Sequence, residues 1–146
     1  MLRFVVFMSG AVLMSLEMVG SRILAPTFGS SIYTWGALIV VVMAALTIGY
    51  YGGGRLADRF PRFGAMGIIL ALAGLFIGFL PFWTRPVNYL CGGLGPRAGS
   101  LLAAGAFFFL PGLLLATVSP YAIKIAGRSL TTIGHTAGGL SALSSA

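Results

Sequence analysis

The sequence predicts an all-α integral membrane protein, a bundle of four transmembrane helices followed by a short C-terminal tail helix. Of its 146 residues, 58% are hydrophobic and only 8% are charged, and the mean hydropathy is +1.02. About a quarter of the residues of a soluble domain are charged, so this chain cannot cover a water-facing surface and needs a lipid bilayer as its main solvent. The apolar residues also form four runs of about 20 residues, the length that crosses a bilayer.

The first predicted span covers residues 4–24. Arg3 and the apolar run resemble a signal peptide, but the run is too long and contains Glu17, which favours a retained helix. Residues 25–31 contain Pro26 and Gly29 and predict a turn. The second span covers residues 32–51.

The third predicted span covers residues 64–83. Residues 84–99 contain two prolines and four glycines, which predicts a loop. The fourth span covers residues 100–123, where Pro111 should bend the helix and Pro120 should loosen its last turn. Residues 1–128 therefore form the transmembrane domain, and residues 129–146 form a Gly/Ser-rich tail that we expect to be ordered and cytoplasmic.

A cluster of charge at residues 49–62 separates the second and third spans and predicts a short basic hairpin on the cytoplasmic side. Its consecutive glycines, Gly52 to Gly54, suggest a phosphate-binding loop as the alternative. That alternative is disfavoured because neither a following Lys-Ser/Thr pair nor a strand–turn–helix context is present.

The basic residues predict the orientation. With the N-terminus inside, six of them are cytoplasmic and two are external, with Arg22 near the outer end of the first span; this agrees with the positive-inside rule. The cytoplasmic set is Arg3, Arg55, Arg59, Arg62, Lys124 and Arg128, and the external pair is Arg85 and Arg97. Both termini are then cytoplasmic. The net charge of +7 follows from topology, and we expect no nucleic-acid partner.

Glu17 is the one acidic residue inside a predicted span. A carboxylate there is costly and marks a functional or paired site by default. It shares a small, polar helix face with Gly10, Met14 and Ser21. Two interpretations stay open: a cation or proton site, and a structural carboxylate bonded to a neighbouring helix. Arg22 lies about 140° further round the helix and is interpreted as an interfacial anchor, with ligand binding as the alternative.

Small residues recur at helical spacing and predict close helix packing. The second span has Gly49 and Gly53, and the third has Gly67, Gly74 and Gly78. Intramolecular packing is the favoured interpretation and homodimerisation the alternative.

The sequence lacks the residues that most enzymes and metal sites need. A single cysteine, Cys91, and a single histidine, His135, give neither a disulfide nor a metal site. No Ser/His/Asp or Cys/His arrangement is visible, so we expect no enzyme activity and no cofactor. The run from Phe107 to Phe109 fits lipid or packing contacts, and contact with a pigment or quinone stays open.

Residues 54–62 (GRLADRFPR) resemble the loop between the second and third helices of major facilitator superfamily (MFS) transporters, G-x-L-A-D-R-x-G-R. Pro61 replaces the second glycine. In that family the acidic and basic residues of the loop latch neighbouring helix ends and help to balance conformations. The resemblance assigns this role to Asp58, Arg59 and Arg62, with Gly54 at the start of the motif.

A longer resemblance is to the membrane part of bacterial fused transporter-like/spermidine synthase proteins. It covers nearly the whole chain. The matching segments are 16–31 (LEMVGSRILAPTFGSS), 33–36 (YTWG), 49–59 (GYYGGGRLADR), 118–123 (VSPYAI) and 134–143 (GHTAGGLSAL). Those relatives usually have more helices and a soluble synthase domain, which this sequence lacks, so the resemblance does not imply synthase activity here.

The resemblance implies a partial N-terminal half of an MFS-like fold in a bacterial inner membrane. The first functional hypothesis is a transporter-like module that handles a polyamine or another cation, as a homo-oligomer or with other membrane subunits. Its candidate site residues are Glu17, Ser21 and Arg22. The second hypothesis is a non-transporting structural subunit of a larger membrane complex.

Overall fold

The chain folds into long helices that run back and forth along one another. A computed structural model describes residues 2–60 and 62–127, together with Ser141 and Ser144. The helices are α1 (Leu2–Phe28), α2 (Ile32–Arg59), α3 (Phe63–Gly92), α4 (Gly95–Ala104) and α5 (Leu110–Gly127). A π-helical turn, Gly105–Phe109, joins α4 to α5, so that the two helices form one continuous rod.

Four of these units are long and apolar enough to cross a membrane: α1, α2, α3 and the rod from α4 to α5. No strand occurs among the described residues. The prediction of an all-helical chain with four membrane-spanning helices is therefore confirmed. The helices carry apolar side chains outward along much of their length, which indicates a lipid environment for a multi-pass membrane protein.

The predicted hairpin at residues 49–62 is wrong in its extent. Helix α2 continues through the three glycines to Arg59, and the break before α3 begins only at Phe60. Glycine weakens a helix in water by about 1 kcal/mol. In a bilayer, however, a backbone that leaves the helix loses its hydrogen-bond partners, so the helix continues to the membrane surface.

The predicted loop at residues 84–99 is also wrong. Helix α3 runs to Gly92 with Pro81 and Pro86 inside it, and α4 begins at Gly95, where φ is +80°. Neighbouring groups can satisfy the backbone atoms that a proline leaves unpaired in a membrane helix.

The turn between α1 and α2 is shorter than predicted because α1 includes Pro26 and ends at Phe28. Gly29 follows with φ of +73°, a conformation that favours glycine. Ser31 caps α2 by accepting from the Thr34 amide, and the Thr34 hydroxyl donates to the Gly29 carbonyl at 2.8 Å. This turn and the α3–α4 turn lie at one end of the bundle, named here the Gly29 end. The opposite end, where α2 ends and α3 begins, is named the Asp58 end.

Pro111 was expected to bend the fourth span, and the distortion takes the form of the π-helical turn immediately before it. Proline cannot donate to the carbonyl four residues back, and a wide turn at that point rearranges the local hydrogen bonds. The rod continues past Pro120 to Gly127. Phe107 and Phe108 are buried in the core, and Phe109 is half-buried.

The rod from α4 to α5 is the centre of the bundle. In its most apolar window 56% of the residues are buried, against 17% for α3, which lies at the periphery. Helix α2 packs most extensively on α5. A Cβ atom added at Gly49 would lie 2.5 Å from the Ala116 Cβ, and one at Gly53 would lie 2.7 Å from the Thr117 Cα. These two glycines let α2 approach α5 closely.

The glycines of α3 behave differently. Gly67, Gly74 and Gly78 are exposed, and no described residue lies within 4 Å of a Cβ added at any of them. Their interpretation as an intramolecular packing face is therefore not supported within the described chain. The face that they form is open to lipid or to another protein.

Candidate functional site

Glu17 lies in the middle of α1 and is half-buried. No described residue forms a hydrogen bond or an ion pair with its carboxylate. The nearest basic residue along the helix, Arg22, forms no ion pair with it. The alternative of a structural carboxylate tied to a neighbouring helix thus finds no partner among the described residues.

The other residues of the Glu17 face have distinct surroundings. Ser21 donates its hydroxyl to the Met18 carbonyl at 2.9 Å, within its own helix. Met14 is 52% exposed. Glu17 therefore lies on an outward part of α1, with the Ser21 hydroxyl one turn further along the same helix.

Gly10, at the start of the same face, is in contact with the tail. A Cβ atom at Gly10 would clash with the backbone carbonyl of Ser144. Ser144 is helical and donates its hydroxyl to the Ser141 carbonyl at 2.9 Å. The rest of the predicted tail, residues 129–146, lies outside the described residues, as does His135. The Gly10 contact is about 10 Å along the axis from Glu17, so the tail touches the same face of α1 near the Asp58 end.

The Asp58 end holds the predicted latch residues. Asp58 forms an ion pair with Lys124 of α5 at 2.5 Å. Close by, the Tyr121 hydroxyl of α5 donates to the Phe60 carbonyl just after α2. Both contacts fasten the end of α2 to the end of α5, although the ion pair is more than half exposed on the Asp58 side and is weak by itself.

The other predicted latch residues do not join this pair. Arg59 lies in the last turn of α2, where its charge complements the helix dipole. Arg62 precedes the first residue of α3 and makes no side-chain cap. No described residue lies within 4 Å of a Cβ placed at Gly54.

Sequence analysis missed Lys124 and Tyr121 as the partners of this end. They are separated from α2 by more than 60 residues, and they come close only because α5, the second half of the fourth span, runs parallel to α2 and ends at the same end of the bundle. A signal for the ion pair did exist: the Asp58 carboxylate and the Lys124 ammonium are opposite charges that the predicted topology places at the same membrane surface.

At the Gly29 end, the Arg97 guanidinium donates to the Tyr33 hydroxyl at 3.0 Å and stands 5.0 Å from the centre of its ring. Arg22 and Arg85 line an open cleft at this end. Cys91 lies near the same end; it is half-buried and is a free thiol. Metal binding finds no support in the described ranges, because no group of three His, Cys, Asp or Glu side chains there could hold an ion.

Comparison with known proteins gives no relative: no protein-family model, curated protein or solved structure matches the chain. The fold class therefore depends on the helices themselves. Their number, length and apolar surface define a multi-pass, all-helical membrane protein. Both family resemblances drawn from the sequence motifs stay predictions.

Proposed function

We propose that this chain is a transporter-like membrane module in which Glu17 supplies a cation site on the surface of α1, completed by a second transmembrane surface. One observation carries the proposal: a half-buried carboxylate in mid-membrane has no partner among the described residues. An intramembrane acid is expensive to keep unless it pairs with or carries a cation. A proton or an ammonium group, such as that of a polyamine, is the matching chemistry.

The second surface is needed because no acidic side chain is fully buried in the described interior of the four-helix unit. Its largest buried side chains are mostly apolar, with Leu24, Phe108 and Val118 fully buried. Buried hydroxyls are used locally: Ser9 donates to the Val6 carbonyl, and the other buried Ser and Thr side chains likewise donate to carbonyls of their own helix or the adjoining turn. A cation path therefore has to follow the outward face of α1.

The MFS-like motif supports the same proposal. In this interpretation the Asp58–Lys124 pair is the latch that holds α2 to α5 in one conformation, and an exposed pair suits such a role because it opens at little cost. Four spans correspond to only part of an MFS-like half, which is in keeping with a second transmembrane surface, such as a second copy of the chain or another membrane subunit, completing the site.

The test is uptake of labelled spermidine by proteoliposomes that contain the chain together with whatever partner co-purifies with it. Glu17→Gln keeps the size and polarity of the side chain but removes the charge, and uptake should fall at least tenfold with unchanged assembly. Glu17→Asp, which keeps the carboxylate, should retain partial uptake. Equal uptake by Glu17→Gln, or none by the parent, contradicts the proposal.

A structural subunit is the second candidate, and the filled, locally bonded core favours it. The exposed glycine face of α3 and the weakly buried α1 are then surfaces for a neighbouring subunit. Extraction in a gentle detergent followed by native mass spectrometry should recover a stoichiometric partner of different mass. A stable monomer counts against this candidate.

A further inference from the structure

A cleft opens between α1 and α3 at the Gly29 end, and its volume is about 680 Å³. This is a volume that holds a small molecule or a headgroup. The polar and basic residues that line it are Arg22 and Thr27 on α1 and Thr84, Arg85, Asn88 and Tyr89 on α3. They differ from the apolar linings of the neighbouring clefts between the same two helices.

The cleft carries two positive charges that no acidic side chain among the described residues neutralises. The protein has only two acids, Glu17 and Asp58. Asp58 is paired with Lys124 at the opposite end of the bundle, and Glu17 forms no ion pair with either Arg22 or Arg85. Two guanidiniums on facing helices therefore lack a counter-charge, which an anionic ligand would supply.

The depth of the two arginines matches the headgroup layer. Helices α1 and α3 have 27 and 30 residues, or roughly 40 and 45 Å at 1.5 Å per residue. They exceed the hydrocarbon core of about 30 Å, so each end extends roughly 5–7 Å beyond it. Arg22 and Arg85 lie six and seven residues before their helix ends, and long arginine side chains reach from there to the lipid phosphates.

Asn88 fixes the two helices at this cleft and leaves one hydrogen-bond acceptor unused. Its amide donates to the Ile23 carbonyl of α1 at 3.1 Å. This bond orients the side chain, so that Oδ1 is the free atom. Oδ1 is buried and accepts no hydrogen bond from a described residue. Buried acceptors of this kind are uncommon and usually have a missing partner, such as a water or a ligand hydroxyl.

We infer that the cleft binds a phosphate monoester or diester that carries hydroxyl groups, held by Arg22 and Arg85. Guanidiniums bind phosphate oxygens through two parallel hydrogen bonds. A small opening of the α1–α3 contact would let a hydroxyl on the same ligand, or a water that it holds, reach the buried Asn88 oxygen. A phosphoglycerol lipid headgroup has both features and lies at the right depth. A soluble organic phosphate has the same chemistry. The inference is independent of the Glu17 site.

Binding can be measured on the purified full chain by native mass spectrometry and thermal unfolding. The probes are mixed micelles with phosphatidylglycerol, micelles with phosphatidylcholine, inorganic phosphate and glycerol 3-phosphate. The test variant is Arg22→Gln/Arg85→Gln. The control is Arg97→Gln, which removes one positive charge from the same end but from outside the cleft, where Arg97 is bonded to Tyr33.

The parent and Arg97→Gln should retain phosphatidylglycerol over phosphatidylcholine by about tenfold or more, because the choline ammonium offsets the negative charge of its own phosphate and the headgroup has no hydroxyl. The double variant should lose most of this preference. Stabilisation by glycerol 3-phosphate without lipid preference identifies a soluble phosphate as the ligand. If the double variant does not fold, Arg85→Lys replaces it and should weaken the preference, because lysine keeps the charge without the planar fork. No response to any phosphate, or an equal loss in Arg97→Gln, overturns the inference.

Discussion

The close packing of α2 on α5 makes Gly49 the position where one methyl group should matter most. A Cβ atom there would lie 2.5 Å from the Ala116 Cβ and 2.7 Å from the Leu113 carbonyl oxygen. Ordinary contact begins at 3.4 Å, so the helices would have to separate by about 0.9 Å, the difference between 3.4 and 2.5 Å. Neither neighbour is the end of a flexible side chain, so neither can move aside alone.

Two opposing contributions set the expected change in the free energy of unfolding of Gly49→Ala. Overpacking of this kind costs about 1–3 kcal/mol, whereas alanine is favoured over glycine inside a helix by about 1 kcal/mol. Gly52→Ala is the matched control, because Gly52 lies in the same helix and no described residue is within 4 Å of its Cβ. Gly52→Ala should gain only the preference of alanine over glycine inside a helix, about 1 kcal/mol. The two variants should therefore differ in their free energy of unfolding by about 1–3 kcal/mol, with Gly49→Ala the less stable.

The assay is unfolding by sodium dodecyl sulfate in mixed micelles, followed by the fluorescence of the two tryptophans. Parent, Gly49→Ala and Gly52→Ala are compared under one condition, so that the micelle contributes equally. Equal free energies for the two variants would refute the reasoning that α2 and α5 are in backbone contact at Gly49.

Three further predictions concern the ends and the periphery of the bundle. Asp58→Asn, which breaks the exposed pair with Lys124, should lower the free energy of unfolding by less than about 1 kcal/mol, and a larger loss in the same titration would mean that the pair is buried. Tyr121→Phe should cost about 1 kcal/mol, because a fully buried tyrosine loses its bond to the Phe60 carbonyl; unchanged stability would contradict that bond. Gly74→Leu should leave monomer stability within about 0.5 kcal/mol, and a shift from dimer to monomer in native mass spectrometry would assign its face to homodimerisation.

The four spans could be predicted from the sequence because hydrophobic length is a strong signal in a membrane protein. The ends of these spans could not be predicted from the sequence. Proline and glycine end helices in water, where backbone groups that leave the helix can bond to solvent. Applied to this chain, that rule placed the ends of α2 and α3 too early. In a bilayer the helix continues through the Gly52–Gly54 run, and it continues past Pro86 although that residue has no N–H to donate.

The candidate sites were only partly visible from the sequence. Glu17 could be singled out because an acid inside an apolar run is rare. The approach of Lys124 to Asp58, the contact of Ser144 with Gly10 and the facing arginines of the α1–α3 cleft depend on which helices become neighbours. Periodicity within one helix does not specify its neighbours.

The arrangement of four spans puts the Asp58 end and the Gly29 end on opposite membrane surfaces. Single cysteines at two exposed positions, Ser30→Cys and Arg62→Cys, test it directly in a Cys91→Ala background. In right-side-out vesicles, a membrane-impermeant maleimide should label Ser30→Cys at once and Arg62→Cys only after permeabilisation. Labelling of both positions from the same side would contradict the arrangement, because α2 would then not cross the bilayer.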